Sequence, residues 1–161
     1  MSRIRAKVGL LAVCVFVMVA CDLPSDTSLI TQFQRSHEDI ERLRQMAEED
    51  NLQGRIHADY ADPKLPEIRL NEYRRLMKAS GIMRLSGAGR GKPLELIVDA
   101  NGFLAQGDYK GFMYNPLASG KTDVSLDGDC FGIAGAFKEE RFCSAARGLG
   151  DGWWLILYQY R

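Results

Sequence analysis

The carboxy-terminal run Trp153-Trp154-Leu155-Ile156-Leu157-Tyr158-Gln159-Tyr160 constrains the fold more than any other segment. It is rich in aromatic and branched residues, and no charge or turn residue interrupts it, so it reads as a strand. Side chains along a strand alternate between two faces, and here both sets are apolar or aromatic. The run therefore belongs centrally in a sheet covered on both sides, or in a sheet with one exposed aromatic face. Gly148, Gly150, Asp151 and Gly152 precede it as turn residues, which pairs it in a hairpin with a strand near Phe142 to Ala146.

A second hairpin is expected upstream. Leu94, Leu96 and Val98 alternate with Glu95, Ile97 and Asp99, and Asn101-Gly102 suits a type I′ turn, so Leu94 to Asp99 should pair with Phe103 to Tyr114. Gly107 and Gly111 in the second arm mark expected bulges. Ile82 to Leu85 is a short β-compatible stretch, and Asn115 to Asp129 is turn-rich.

The amino-terminal half follows a different period. Ile30, Phe33, Ile40, Leu43 and Ala47 recur at helical spacing, giving one helix from about Leu29 to Glu49, with a break or restart near Ser36, where Ser36 and Asp39 resemble a capping box. Gln53 to Lys64 has the composition of a loop with one short extended piece. Pro66 and Glu67 open a second helix, Gly81 closes it, and Leu70, Tyr73, Leu76 and Met77 form its apolar face. Arg69, Arg74, Arg75 and Lys78 lie on or near its solvated face. The expected fold class is α+β, with two amino-terminal helices packed on an antiparallel sheet of four or five strands.

Residues 1 to 20 read as an export signal: Arg3, Arg5 and Lys7 precede an apolar core from Val8 to Val19, and small Ala20 ends it. A membrane span needs about 20 apolar residues, and this core falls short of that, with Asp22 blocking its extension. The run Met18-Val19-Ala20-Cys21 resembles the lipobox of bacterial lipoproteins, with Met18 where leucine is usual. The resemblance implies cleavage before Cys21, a diacylglycerol on its thiol and an acylated amino terminus. At about 0.8 kcal/mol per buried methylene, such chains hold a protein to a bilayer stably. The expected location is the bacterial cell envelope on the periplasmic side, and Asp22 resembles a signal for retention at the inner membrane. The expected domains are a signal peptide over 1–20, a lipidated tether over 21–28 and one α+β domain over 29–161.

Three of the 21 Lys and Arg residues and none of the 21 Asp and Glu residues lie in the leader, so the remainder carries −3. That balance argues against a nucleic-acid partner, which needs clustered cations to displace counterions. With Cys14 lost and Cys21 acylated, Cys130 and Cys143 remain in a compartment where disulfides persist, and a bridge between them is expected. A reactive or metal-binding pair is the competing reading, without a nearby His or a Cys-x-x-Cys spacing to support it.

Candidate sites are sparse. Gly87 to Lys92 departs from a phosphate-binding loop in its glycine spacing, and Pro93 replaces the required hydroxyl, so it reads as a hairpin turn. His37 falls on the apolar side of the first helix. His57 with Asp59 or Asp62 is the candidate set for a small hydrolase or metal-dependent enzyme acting on an envelope substrate. Asp123, Asp127 and Asp129 lack the spacing of a calcium loop, and Lys138 to Arg141 form a mixed-sign surface cluster. No catalytic residue, metal ligand or cofactor is assigned. Trp, Tyr and Arg dominate binding hot spots, which makes Tyr158, Tyr160 and Arg147 the candidate partner-binding residues.

Lys138-Glu139-Glu140-Arg141-Phe142-Cys143 and Gly150-Asp151-Gly152-Trp153-Trp154 are similar to segments of small proteobacterial lipoproteins without an assigned activity. The resemblance transfers no catalytic residue. The expected function is that of a membrane-anchored, non-enzymatic domain binding an envelope protein or other envelope component, in an accessory or immunity-like role.

Overall fold

A computed structural model describes residues 23–101, 107–116 and 120–161. The expected signal peptide, Cys21 and Asp22 lie outside the described residues. Among the described residues no helix is long and apolar enough to cross a membrane.

The fold is α+β, with three helices and one eight-stranded sheet among the described residues, where two helices and four or five strands were expected. Helix α1 (Asp26–Arg35) starts earlier than its apolar period suggests, because Ser25 accepts from the Ser28 amide at 3.2 Å and Asp26 complements the positive helix end. Residues 26–28, read as tether, are its first turn. Ser36, at φ −107°, separates it from α2 (His37–Glu49). Ser36 makes no side-chain capping bond, so the box with Asp39 does not form. Leu29, Phe33, Ile40, Leu43, Met46 and Ala47 are the buried apolar stripe of the pair.

Helix α3 (Glu67–Ser80) keeps its expected limits, and Gly81 closes it at φ 70°, a left-handed conformation that only glycine adopts freely. Arg69, expected among the solvated charges, instead reaches back to α2. Its Nε donates to Asp50 Oδ2 at 2.7 Å and its Nη2 to Glu49 Oε2 at 2.7 Å, while the Tyr73 hydroxyl donates to the same Asp50 oxygen at 2.9 Å. These acceptors lie at the carboxy-terminal end of α2, where a cation is favoured.

The sheet order is β1 (Gln53–His57), β2 (Arg84–Ala88), β3 (Leu94–Asn101), β4 (Asp108–Tyr114), β8 (Trp153–Tyr160), β7 (Phe142–Gly150) and β5 (Gly120–Lys121), with β6 (Phe137–Lys138) also on β7. All described pairings are antiparallel except β5 with β7. The tryptophan-rich run is thus central. The hairpin before it turns at Asp151-Gly152, whose φ values of 51° and 81° match a type I′ turn.

The other expected hairpin also forms, β3 pairing with β4 from Leu94–Tyr114 to Asn101–Asp108. The expected two-residue turn at Asn101-Gly102 does not form: Asn101 stays in the ladder opposite Asp108, and the second arm begins at Asp108 instead of Phe103, while Gly102 lies outside the described residues. The ladder irregularity lies between Ile97 and Asp99 on β3, not at Gly111 on β4. Gly111 serves a different need: a Cβ there would stand 2.1 Å from the Leu96 carbonyl oxygen. That approach admits no side chain.

Strand β1, read only as a short extended piece in a loop, is an edge strand whose outer side is covered. The chain folds back so that the His57 amide donates to the Tyr60 carbonyl at 2.7 Å and the Asp62 amide to the Arg55 carbonyl at 2.9 Å. At the opposite side β6 and β5 cover much of β7, and the Thr122 amide donates to the Ala146 carbonyl at 2.9 Å. Edges covered this way leave little backbone free to accept an added strand.

Cys130, in a short 3-10 turn (Cys130–Gly132), is bonded to Cys143 of β7, and both are fully buried. The bond spans a sequence separation of 13, for which the chain-entropy model gives about 3 kcal/mol. Replacing both cysteines by alanine is expected to lower the unfolding free energy by that amount, read from the urea midpoint and slope. A reductant should lower the native protein's midpoint similarly and leave the double variant unchanged.

Candidate functional site

Strand register sorts the sheet into two faces. Opposite residues share a face, so Phe142 with Tyr160, Ser144 with Tyr158, Ala146 with Ile156, Tyr109 with Tyr158 and Met113 with Trp154 lie together. The alternate set, including Leu85, Leu96, Phe112, Leu155, Leu157, Ala145 and Cys143, packs with the helices in the main core. The first set forms a separate cluster built on Ile97, Met113, Ala146 and Ile156, with Tyr109, Trp154 and Tyr158 packed around it. No described helix contributes to that cluster.

This open face carries a line of rings. Phe137 and Phe142 are 6.4 Å apart between centroids, Phe142 and Tyr158 are 5.7 Å apart, and Tyr158 stacks on Tyr109 at 4.6 Å. Tyr160 joins the line 5.1 Å from Phe142. Arg84 lies over Tyr109 at 5.2 Å and Lys121 over Trp154 at 4.8 Å, both within cation–π range. Phe137 and Tyr160 are exposed, whereas Tyr109, Tyr158, Trp154 and Phe142 are half-buried.

The polar members of the face have perturbed chemistry. Burial raises the Glu95 carboxyl above its ordinary range, outweighing the opposing pull of Arg84 at 3.5 Å. Burial also raises the Tyr109 and Tyr158 hydroxyls, which stay protonated at neutral pH. The Arg84 Nε is buried and has no hydrogen-bond partner.

Tyr158 and Tyr160 therefore share a face, but Arg147 does not join them. It pairs with Leu155 on the helix side, and its Nη1 lies 3.4 Å from Asp26 Oδ2. The reason is alternation from Cys143, whose core-directed disulfide puts Ala145 and Arg147 inward with it.

Arg147 belongs instead to a polar hub beneath α1. Lys110, 2% exposed, donates through Nζ to the Pro24 carbonyl at 3.1 Å, Asp26 Oδ1 at 2.8 Å and Asp127 Oδ1 at 2.7 Å, which uses all three ammonium protons. Asp26, 3% exposed, accepts through Oδ2 from the Leu126 amide at 2.7 Å and the Ser125 hydroxyl at 3.2 Å. The Asp26 amide donates to Asp127 Oδ1 at 2.7 Å. Two carboxylates face two cations, so the hub is balanced in charge. Sequence reading missed it, although alternation from Phe112 places Lys110 inward.

The enzyme-type candidates do not converge. Asp62 accepts from the Tyr60 hydroxyl, from the Arg55 amide at 3.1 Å and from Arg55 Nε at 3.3 Å, and His57 is not among its partners. Burial and the neighbouring Arg84 and Arg55 lower the His57 imidazole below its ordinary value. His37 meets the Phe33 ring edge-on at 5.3 Å. Asp127 serves the hub, while Asp129 caps the 3-10 turn by accepting from the Phe131 amide at 3.1 Å. Among the described residues no group of three or more His, Cys, Asp and Glu side chains could hold a metal ion. The glycine-rich turn spends its amides on backbone and Asn51: Gly89 donates to the Leu52 carbonyl at 2.8 Å and Arg90 to Asn51 Oδ1 at 2.7 Å.

No family model, curated protein or solved structure matches this chain.

Proposed function

We propose that the chain is a membrane-anchored envelope lipoprotein, lipidated at Cys21, whose folded part is a non-enzymatic module that binds an envelope protein. The observation that carries the binding role is the line of rings on the sheet face that no described helix covers, from Phe137 through Phe142 and Tyr158 to Tyr109, with Tyr160 beside it. Large rings held rigidly by their neighbours offer contact area at small entropic cost, and Tyr, Trp and Arg are the residues that anchor interfaces. The covered edges of the sheet favour this face over strand addition as the mode of contact. The binding residues are then Tyr158, Tyr160, Tyr109, Trp154, Phe142 and Phe137, without Arg147.

A photoreactive phenylalanine at Tyr160 or Phe137 is expected to capture the same discrete protein in intact cells. Ile68, 83% exposed on α3, is the control position. Adducts from Tyr160 and Phe137 no more specific than those from Ile68 would remove the binding face.

A further inference from the structure

We propose that the end of the domain where the chain enters the fold rests on the headgroup layer of the bilayer, with Met83 and Tyr60 as its apolar contacts and Lys78 as a phosphate contact. This rests on the reading of Cys21 as a lipid anchor.

The first argument is chain length. Lys110 holds the Pro24 carbonyl at 3.1 Å, Asp26 is buried, and Leu23 packs against the main core. Only two peptide steps separate Leu23 from Cys21, a reach of at most about 7 Å for extended chain. The polar layer of one leaflet is itself about 5–8 Å thick, from a bilayer of about 40–45 Å with a core of about 30 Å. A lipid on Cys21 therefore leaves no room for the folded part to stand clear of the membrane. The hub around Lys110 turns a flexible tether into a fixed point of attachment.

The second argument is which side of the molecule that point selects. Lys110 pairs with Asp99 and Leu157, near the ends of β3 and β8. Met83, whose amide donates to the Ile97 carbonyl at 2.8 Å, precedes β2 at the same end, and His57 closes β1 there, with Tyr60 bonded to its amide. Tyr60 and Met83 are 54% and 47% exposed. At the opposite end of the sheet, the turns at Gly89–Lys92 and Asp151-Gly152 carry no large exposed apolar residue. Ile68, 83% exposed, lies at that opposite end, where α3 begins beside the end of α2, while Tyr60, Met83 and Tyr160 stand at the end the anchor would hold.

The third argument is the chemistry of this end. A cleft of about 400 Å³ is lined by Ala58, Arg74, Met77, Lys78, Ile82 and Met83. Its lining is mostly apolar, and among the described residues Lys78 has no ion-pair partner. An apolar lining beside an ammonium matches the boundary between acyl chain and phosphate in an anionic phospholipid. Tyr160 stands at this same end, so the ring-lined face meets the bilayer at an edge and stays open to a protein partner.

The test uses the full lipidated chain in vesicles of phosphatidylethanolamine and phosphatidylglycerol. With Cys21 acylated and Cys130 bonded to Cys143, an introduced cysteine is the unique free thiol, and it can carry an environment-sensitive dye. Quenching by brominated lipid is expected to be several-fold stronger for Met83→Cys and Tyr60→Cys than for Arg90→Cys in the distant turn. Equal quenching at all three positions, with acyl chains found on Cys21 by mass spectrometry, would overturn the proposal and spare the anchor. Absence of acyl chains on Cys21 would overturn both.

Discussion

Replacing Lys110 by methionine is expected to lower the unfolding free energy by about 3–5 kcal/mol, because it leaves buried Asp26 with only the partly exposed Arg147 as a more distant counterion, at 3.4 Å. That is a large share of the roughly 5–15 kcal/mol by which a domain is stable. The Pro24 carbonyl loses its donor and Asp127 its cation as well, so the entry of the chain should loosen before the sheet does. A Lys110→Met, Asp26→Leu double variant should recover part of the loss, since an apolar pair of similar volume replaces a broken ion pair at lower cost. Urea unfolding of the four proteins of this cycle checks the prediction. A single variant as stable as the native protein would show that the hub contributes nothing.

The hub also predicts an acid response. Burial opposes ionisation of Asp127, but the hydrogen bond from Lys110 and that from the Asp26 amide outweigh it and hold its carboxyl below the ordinary range. A carboxyl depressed in the folded state contributes stability that is full above its unfolded value and is lost as pH falls through the folded one. The Asp127→Asn variant should therefore lose less stability than the native protein as pH falls below about 4. Parallel acid limbs for the two proteins would contradict this.

The second large effect concerns adjacent tryptophans with opposite fates. Trp153 is 1% exposed, meets Phe33 and Tyr114 edge-on at 5.8 and 5.3 Å, and donates through its indole nitrogen to Glu41 at 3.4 Å. Trp153→Ala should cost about 3–5 kcal/mol, the usual penalty for emptying a large aromatic site in a core. Trp154 is half-buried on the open face under Lys121, with fewer neighbours to collapse around it. Trp154→Ala should cost clearly less in stability while weakening capture of a partner at Tyr160. Similar unfolding losses for the two variants would mean that the faces are wrongly assigned.

Much of this architecture was legible because it rests on local chemistry. The limits of α3 follow from Pro66, Glu67 and Gly81, and the β7–β8 hairpin follows from Asp151-Gly152, residues whose backbone preferences act within a few positions. The strands that escaped notice owe their existence to partners distant in sequence. Gln53–His57 becomes strand by pairing with Arg84–Ala88, and the two-residue pieces β5 and β6 exist only against β7. The candidate site divided in the same manner. Tyr158 and Tyr160 share a face by simple alternation, but Arg147 is separated from them by the facing of its strand, which Cys143 sets through its bond to Cys130.

From its sequence alone the chain declares an α+β fold, the central strand Trp153–Tyr160 and the helix ending at Gly81, since periodicity, turn preference and composition are properties of short segments. The tertiary structure alone decides which face of that strand the helices cover, and that Lys110, Asp26, Asp127 and Arg147 meet. Those residues come from four separated segments, and a buried charge is tolerable only where the whole fold brings its counterions within hydrogen-bond distance.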